Sequence, residues 1–376
     1  MSKALFPIAL SIAIVTACRM AFDVAGFSRY AEIESPRRWP ELFLHPAGTV
    51  ARARVGAFLI CIGAFLAFAA AIVVHECFLL VAKRSQYPSL YQWLRWTVFC
   101  VTAGGALCLA YGFKVEPSWL STTHVHLETS KLPRGATAKF AVISDLHMDR
   151  EAKLEGKLPG AIAPEKPDAI FFLGDAMNST WALGPFKQLM FTLRQIAPVV
   201  AVLGNQDEGA WWESHDPYRG TPVLVLKNAS TALNIRGASI YVWGQDSTVP
   251  WLPPGAIRPV HLIPPPGDAH GSYAIVLNHT PDLIDQASRG GYDLYLAGHT
   301  HGGQIALPFY GALVTNSRFD KQYEAGQFQV GPTTLYVNRG LGFARWPQPE
   351  ARFFARPELT IIEITGAANA AHDPRQ

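Results

Sequence analysis

Seven polar side chains beyond residue 140 of this 376-residue chain are of types that bind metal ions. Each follows a short apolar run, as in KFAVISDLH and DLYLAGHTH. They are Asp145, His147, Asp175, Asn205, His279, His299 and His301. Imidazole, carboxylate and amide groups are ligands of borderline divalent metals such as Mn²⁺, Fe²⁺ and Zn²⁺. One ion rarely needs so many ligands, so the set predicts two divalent ions that share one carboxylate.

The spacing within two segments supports this prediction. Asp145 and His147 are two residues apart, and so are His299 and His301. Residues two apart project to the same side of an extended strand or its exit turn, so each pair could chelate one ion or span two. A single Asp-x-His or Gly-Asp segment is more often a turn or a helix cap. The ordered set of segments, above all GHTHGGQ, is what indicates a metal site.

Short buried strands are the elements that would position these residues. KFAVISD, AIFFLGD, VVAVLGN, YAIVLNH and DLYLAGH each hold four to six apolar residues before a polar end, a pattern typical of strands whose following loops carry function. ASIYVWG, TTLYVNRG and ELTIIEI predict further strands, and residues 181–197 and 281–289 predict helices. The expected fold class is α/β or layered α+β. Seven prolines in residues 245–270 exclude a central strand or helix there.

The N-terminal part of the chain has a different composition. Residues 4–22, 55–81 and 93–113 are apolar stretches of about the length that crosses a bilayer as a helix. We therefore expect a membrane region over residues 1–120 with about three transmembrane helices, and a separate domain over residues 121–376. Buried core helices are the alternative for each stretch taken alone, and a cleaved signal peptide is an alternative for the first.

The distribution of basic residues predicts the orientation. The first predicted loop with its edges holds six of them, Arg19, Arg29, Arg37, Arg38, Arg52 and Arg54. The second holds three, Lys83, Arg84 and Arg95. The positive-inside rule then places the first loop in the cytoplasm. An odd number of spans predicts a multi-pass protein of the inner (cell) membrane with a cytoplasmic C-terminal domain, and a miscounted span would reverse this.

Charge and cysteine content exclude other classes. A formal net charge of +3 gives no argument for nucleic acid as a partner. All cysteines precede residue 109, which excludes both a disulfide-stapled domain and a thiolate metal site in the C-terminal part. Arg339, Arg345 and Arg352 are candidate phosphate contacts, with ordinary surface charge as the alternative.

The segments DLH, GD, GN-x-D, a strand-ending histidine and GHTHGGQ resemble the calcineurin-like metallophosphoesterase superfamily over about residues 138–364. NRGLG at 338–342 and PEL at 357–359 resemble its membrane-anchored bacterial branch. The resemblance implies a four-layer α-β-β-α sandwich, here preceded by transmembrane helices. It also implies that one ion is bound by Asp145, His147 and His301, the other by Asn205, His279 and His299, with Asp175 as the bridge.

The resemblance implies hydrolysis by direct attack of a metal-bridging hydroxide on phosphorus, with Asn205 and Gln206 as further catalytic residues. Most relatives have a histidine where this chain has Gln206, and glutamine cannot transfer a proton near neutral pH. A phosphate leaving group needs little protonation, so Gln206 favours a phosphoanhydride or an activated ester. Alternatively, Gln206 is a neutral replacement and Asp207, His215 or His270 is the acid.

Three functions follow from these observations. The first is a membrane-anchored binuclear hydrolase of a phosphoanhydride or phosphodiester in a lipid or nucleotide-linked substrate such as UDP-2,3-diacylglucosamine, as in lipid A biosynthesis. The second is a broad-specificity phosphodiesterase or phosphomonoesterase. The third is a metal-stabilised membrane scaffold without turnover. The motifs do not separate the first two, and retention of all seven ligand types argues against the third.

Overall fold

The computed structural model describes Gly63 and residues 89–149, 154–207, 215–246, 261–267, 271–344 and 350–367. The chain divides into two compact units, Met1–Glu116 with Trp346–Ala351 and Pro117–Arg345 with Arg352–Gln376. The predicted apolar stretches 4–22 and 55–81 lie outside the described residues, apart from Gly63.

Helix α1 of the first unit spans Ser89–Ala110 and is followed by a π-helical turn over Tyr111–Val115. The third predicted membrane span, residues 93–113, falls on this helix and turn. Within the described ranges, no helix combines the length and the apolarity needed to cross a membrane. The transmembrane part of the predicted fold is therefore not supported, and the predicted boundary at residue 120 stays a prediction.

Most of the regular secondary structure described in the second unit is β-strand. In chain order the strands are β1 (Ser121–Thr129), β2 (Thr137–Ile143), β3 (Ala169–Phe172), β4 (Val199–Ala201), β5 (Leu224–Val225), β6 (Ala229–Ile235), β7 (Ala238–Gly244), β8 (Tyr273–Leu277), β9 (Leu294–Ala297), β10 (Ala306–Leu307), β11 (Gly311–Ala312), β12 (Gly326–Val330), β13 (Thr333–Val337) and β14 (Glu358–Gly366). The helices are α2 (Leu158–Ile162), α3 (Leu183–Ile196) and α4 (Ile284–Gly290). All eight predicted strands and both predicted helices are present, with small shifts at their ends.

These strands form two six-stranded sheets, one with the order β1-β14-β2-β3-β4-β5 and the other with the order β12-β13-β9-β8-β7-β6. Strands β10 and β11 pair separately. In the first sheet β2, β3 and β4 are adjacent and parallel. In the second sheet β7, β8, β9 and β13 are parallel. Parallel neighbours end at the same edge of their sheet, so the polar segments after β2, β3 and β4 are neighbours, as are those after β8 and β9.

Three apolar clusters fix the layers. One lies between the sheets and includes Phe140 and Phe171, whose rings stack with centroids 4.7 Å apart. A second packs α2 and α3 on the outer face of the first sheet, with Phe186 of α3 fully buried. A third packs α4 on the outer face of the second sheet through Ile284. The predicted mixed α/β class is confirmed, because each of the two sheets is covered by helix on one face and by the other sheet on the opposite face.

Candidate metal centre

All seven predicted ligand residues meet where the strand ends of the two sheets face each other. Asp145 and His147 follow β2, Asp175 follows β3 and Asn205 follows β4, whereas the three remaining histidines follow β8 and β9. The side-chain amide oxygen Oδ1 of Asn205 lies 3.1 Å from Nε2 of His279, which joins the first sheet to the second. The prediction that these residues converge is confirmed by the structure, and their role as ligands stays a prediction.

The ligand atoms form two groups, within each of which all atoms lie within 4.8 Å of one another. Triad 1 is Asp145, His147 and His301, and triad 2 is Asp175, His279 and His299. The carboxylate of Asp175 faces both triads, because its Oδ2 lies 3.3 Å from Nε2 of His147 and 3.4 Å from Nε2 of His279. Asp175 is therefore placed where a shared carboxylate is expected.

The backbone at these residues explains how they come to face one centre. Five of the seven have a left-handed φ, namely Asp145 (50°), His147 (43°), Asp175 (56°), His299 (68°) and His301 (53°). For a residue with a side chain this conformation costs about 1–2 kcal/mol, and such strain is typical of functional sites. Both members of each two-residue pair are left-handed, so they share a side because of tight exit turns rather than an extended strand.

Three of the imidazoles are oriented by a hydrogen bond at the ring nitrogen that faces away from the centre. Nδ1 of His147 lies 2.8 Å from the side-chain oxygen of Asn178, Nδ1 of His279 lies 2.7 Å from the carbonyl oxygen of Leu173, and Nε2 of His299 lies 3.1 Å from the carbonyl oxygen of Asn316. Each oxygen is an acceptor, so the ring nitrogen next to it donates. In the neutral ring, the other nitrogen then directs its lone pair into the centre, which is the tautomer that a metal ligand needs.

Burial and mutual attraction set the charges of the metal-free centre. Burial alone would raise the pKa of Asp175, but His279 and His147 outweigh it and lower that pKa to about 2. Burial alone would lower the pKa of His279, but the carboxylate of Asp175 outweighs it and raises that pKa to about 10. Burial lowers the pKa of His147 and of His299 to about 4. The metal-free centre therefore holds a His279–Asp175 ion pair beside neutral imidazoles.

The donor atoms fit divalent cations. Oδ1 of Asp145 is fully buried, and no described residue donates a hydrogen bond to it. Nε2 of His147 lies 3.1 Å from Nε2 of His301, and Nε2 of His279 lies 3.0 Å from Nδ1 of His299. Ring nitrogens that face each other this closely need a proton or a cation between them. The set of nitrogen and oxygen donors is of the kind that holds Mn²⁺, Fe²⁺ or Zn²⁺.

We predict that the affinity of triad 2 for a divalent ion increases with pH. His279 is protonated below its raised pKa of about 10, and an ion that needs the lone pair on Nε2 must displace that proton. Release of one proton makes the apparent association constant rise by about tenfold per pH unit. Calorimetric titration with Mn²⁺ from about pH 6 to about pH 9 in buffers of different ionisation enthalpy measures both quantities. An affinity that does not change with pH would contradict this assignment.

The loop that follows β4 holds Asp175 in place. The backbone N–H of Gln206 donates to Oδ1 of Asp175 at 2.8 Å. The carboxylate of Asp207 accepts hydrogen bonds from the backbone N–H groups of Asp175, Ala176 and Gly204 at 2.7, 2.9 and 3.0 Å. Burial and the nearby Asp175 raise the pKa of Asp207 to about 7. Both carboxylate oxygens are occupied by backbone donors, which argues against Asp207 as the acid; His270 lies outside the described residues.

Two glycines are required because polar side chains approach the backbone closely. A Cβ atom on Gly298 would collide with Oγ of Ser144 and crowd Oδ2 of Asp145, and one on Gly204 would collide with Oδ1 of Asp175. The N–H of His299, next to Gly298, donates to Oδ2 of Asp145 at 3.0 Å. Close backbone approach thus fixes the two carboxylates that face the centre.

The three candidate arginines have different surroundings. Arg339 pairs with Glu358, with Nη2 3.2 Å from Oε1. Arg352 is fully buried and contacts His301, so surface charge is the wrong interpretation for it. Arg345 lies outside the described residues. The sequence analysis did not predict which residues contact the outer nitrogens of the ligand histidines. Those found here include Asn178, Asn316 and Arg352.

The comparisons with known proteins agree with this geometry. Residues 138–303 match the protein family described as Calcineurin-like phosphoesterase. The chain is 31% identical over 275 residues to the uncharacterized metallophosphoesterase YkuE of Bacillus subtilis, and the aligned region covers 70% of this chain and 91% of YkuE. It is 29% identical over 262 residues to the phosphodiesterase YaeI of Escherichia coli, and the aligned region covers 66% of this chain and 90% of YaeI. It is 34% identical over 317 residues to the UDP-2,3-diacylglucosamine pyrophosphatase LpxG of Chlamydia trachomatis, and the aligned region covers 70% of this chain and 94% of LpxG.

Proposed function

The chain belongs to the calcineurin-like phosphoesterase family and is a phosphoester hydrolase, and on this premise we propose that it uses two divalent ions, held by triads 1 and 2, to cleave a phosphoanhydride or phosphodiester bond. The observation that carries the proposal is the position of Asp175, whose Oδ2 lies within 3.4 Å of a histidine nitrogen from each triad. A carboxylate in this position could contact both ions of a two-ion centre.

The residues of the chain have distinct parts in this reaction. When bound, two divalent ions would supply an activated water and neutralise charge on the phosphoryl oxygens. Left-handed backbone turns and hydrogen bonds orient the histidines and Asp145 toward the centre. Asn205, whose amide oxygen faces His279, completes the donors of triad 2. Gln206 orients Asp175 through its backbone N–H, and we assign its side chain to a hydrogen bond with the substrate.

We infer the substrate class from Gln206 and from the relatives. A glutamine side chain donates a hydrogen bond but transfers no proton near neutral pH. An alkoxide leaving group needs that proton, whereas a phosphate leaving group does not. LpxG, named as a pyrophosphatase of UDP-2,3-diacylglucosamine, covers 70% of this chain. A lipid- or nucleotide-linked pyrophosphate is therefore the substrate that we propose.

We further propose that residues 1–120 anchor the protein in the cell membrane and that residues 121–376 form the hydrolase domain on the cytoplasmic side. The support comes from the apolar stretches 4–22 and 55–81 and from the number of basic residues in the first loop. A lipid-linked substrate would reach such an enzyme by diffusion in the bilayer. Protease accessibility in sealed vesicles of known orientation tests the side of the membrane.

A second candidate function is a phosphodiesterase of broad specificity. The observation that favours it is the relation to YaeI, named as a phosphodiesterase, which covers 66% of this chain. The two candidates share the metal centre and differ in the bond that is cleaved fastest. A scaffold without turnover is not favoured, because the chain carries a phosphoesterase domain and a complete set of predicted ligands.

A substrate panel separates the two candidates. Full-length protein with Mn²⁺ is assayed against UDP-2,3-diacylglucosamine, an aryl phosphodiester and an alkyl phosphomonoester, with His301→Ala as the inactive control. We expect kcat/KM for the pyrophosphate to exceed that for the alkyl monoester by about 10²-fold or more, the usual contribution of a general acid. Faster cleavage of the diester than of the pyrophosphate would favour the second candidate. Equal turnover of the alkyl monoester would contradict the argument from Gln206.

A further inference from the structure

Exposed aromatic side chains are concentrated at one end of the second unit, which we call the metal-centre end. Strands β2, β3, β8 and β9 end there, and β1 and β14 begin there, because β14 runs antiparallel to β2 and parallel to β1. Among the described residues of this unit, Phe191 within α3 is one exposed aromatic residue. The other five belong to segments that adjoin the metal-centre end, namely Trp119, Trp181, Phe309, Tyr310 and Phe354.

Four of these side chains form one surface that we call the aromatic rim, namely Trp119, Phe309, Tyr310 and Phe354. Two of them lie in the turn between β10 and β11, a hairpin that comes directly after the turn that carries His301. The backbone of residue 353 pairs with that of residues 304–306 at the base of this hairpin. Arg356, just before β14, stacks on Trp119 with its Cζ 3.8 Å from the ring centroid. The rim therefore runs along the loops next to the metal centre.

The backbone of the two phenylalanines in the rim is strained. Phe309 has a φ of 65° and Phe354 a φ of 54°, a left-handed conformation that is rare for a bulky residue. In the turn closed by a hydrogen bond from the N–H of Tyr310 to the carbonyl oxygen of Leu307 at 3.1 Å, glycine is the usual residue at the third position, where Phe309 stands. Phe309 is fully exposed and Phe354 is 61% exposed. Strain that burial does not offset is typical of functional surfaces.

Cationic groups lie against the rim. Nζ of Lys321 lies 3.4 Å from the centroid of the ring of Tyr310, in addition to the stacking of Arg356. The segments that carry the rim, residues 118–121, 304–312 and 351–357, contain no acidic residue. The nearby carboxylate of Glu324 accepts the backbone N–H of Ala312 at 2.8 Å, so it is directed at the hairpin backbone. Exposed aromatic rings beside lysine and arginine are typical of surfaces that contact bilayers with anionic headgroups.

The chain also enters the second unit at the metal-centre end. This unit begins at Pro117, and β1 begins at Ser121. The apolar stretches 4–22 and 55–81, proposed above as a membrane anchor, precede it in the chain. The exposed phenylalanines lie in turns and do not line a groove. Such an arrangement suits insertion among lipids, and an anchor joined at this end would keep the rim near the bilayer.

We propose that the aromatic rim docks on a lipid bilayer with anionic headgroups, with Phe309 and Phe354 inserted among the lipids. Docking brings the metal centre to the level of the headgroups, so that a lipid-linked substrate reaches it without leaving the bilayer. This use of the rim rests on the function proposed above, whereas the contact with lipid does not depend on turnover.

Photocrosslinking tests the contact directly. The photoreactive residue benzoylphenylalanine replaces Phe309 in the full-length protein, which is reconstituted in vesicles of phosphatidylethanolamine and phosphatidylglycerol. Mass spectrometry identifies the adducts formed on illumination. We expect adducts with lipid, and we expect their yield to fall by at least about threefold in vesicles of phosphatidylcholine alone, because basic residues add to binding only at an anionic surface. An equal yield in both kinds of vesicle would overturn the assignment of anionic lipid.

The same photoreactive residue at position 191 is the matched control. Phe191 is also an exposed phenylalanine, but it lies on α3 away from the rim. It should form few lipid adducts. Equal lipid adducts at positions 191 and 309, or none at 309, would overturn the proposal. An adduct from position 309 to a second copy of the chain would identify a protein interface instead and would also overturn it.

A double variant with Phe309→Asn and Phe354→Asn tests the use of the rim. Asparagine tolerates a left-handed backbone, so the midpoint of thermal unfolding should not fall, whereas a structural role of the rings would lower it. We expect kcat/KM for UDP-2,3-diacylglucosamine in vesicles to fall by at least about tenfold, the effect of losing the burial of one phenylalanine. Turnover of a soluble aryl phosphodiester should stay within about twofold of wild type. Phe191→Asn should change neither activity.

The outcomes distinguish this inference from the proposed function. If lipid adducts form at position 309 and wild type cleaves neither substrate, the proposed function fails and the docking surface stands. If wild type cleaves both substrates and the double variant matches it on both, only the use of the rim fails. Equal losses on both substrates would show damage to the metal centre and would likewise overturn the proposed use of the rim.

Discussion

Replacing Asp175 with asparagine is expected to lower kcat for hydrolysis of an aryl phosphodiester by about 10³-fold, or about 4 kcal/mol of transition-state stabilisation. The carboxylate of Asp175 is the group that faces histidines of both triads, and its charge also lowers the cost of bringing two cations together. Asparagine has nearly the same shape but no charge, so the fold should persist while at least one ion is lost. Steady-state kinetics with Mn²⁺ and metal analysis of the same samples measure the two effects.

Asp168→Asn is the control for this substitution. Asp168 precedes β3, whereas Asp175 follows it, so the two carboxylates lie at opposite ends of one strand. Asp168 accepts the backbone N–H of Lys139 at 2.8 Å and pairs with Arg236. Its replacement should leave kcat within about twofold, as expected for a surface substitution away from the centre. An Asp175→Asn enzyme that kept both ions and its turnover would remove Asp175 from the centre of the mechanism.

Replacing Gln206 with histidine is expected to raise kcat/KM for an alkyl phosphomonoester by about 10²-fold, the size of a general-acid contribution. The backbone N–H of residue 206 donates to Asp175, so this position lies at the edge of the metal centre. An imidazole attached there could protonate the leaving oxygen. Turnover of a pyrophosphate should change by less than about threefold, because its leaving group needs little protonation. Parallel kinetics on both substrates measure the change in ratio.

Gln206→Asn is the matched control, since asparagine keeps an amide donor and transfers no proton. It should lower turnover of both substrates modestly and leave their ratio unchanged. The pH profile of Gln206→His on the monoester should gain a limb near the pKa of histidine that wild type lacks. If both variants change the ratio alike, the residue at position 206 acts through its size or its hydrogen bond, and the inferred substrate class loses its main support.

The strands that carry the site could be predicted because they are buried on both faces. In β3 and β8 every residue is buried, so each reads as a continuous apolar run. Strands β1 and β6 were not predicted, because exposed residues alternate along them with half-buried or buried ones and the exposed residues are mainly polar. The pairing of β1 with β14 and the insertion of β14 beside β2 could not be predicted, since such pairings depend on contacts between distant parts of the chain.

The ligand residues could be predicted from their types, but the groups behind them could not. Asn178 and Asn316 follow no motif, and one of them acts only through its backbone carbonyl. Arg352 is one of several arginines near the end of the chain, and only its burial distinguishes it. The left-handed turns at Asp145 and His299 were also not predicted, because long-range contacts impose them on residues that do not favour them.

The central claim is that the chain holds two divalent ions with Asp175 between them. Anomalous X-ray diffraction from crystals of the Mn²⁺-loaded protein tests it most directly. The account predicts two anomalous peaks roughly 3.5–4 Å apart, one next to Asp145, His147 and His301, the other next to Asn205, His279 and His299, with the carboxylate of Asp175 in contact with both. A single peak, or peaks away from these side chains, would contradict it.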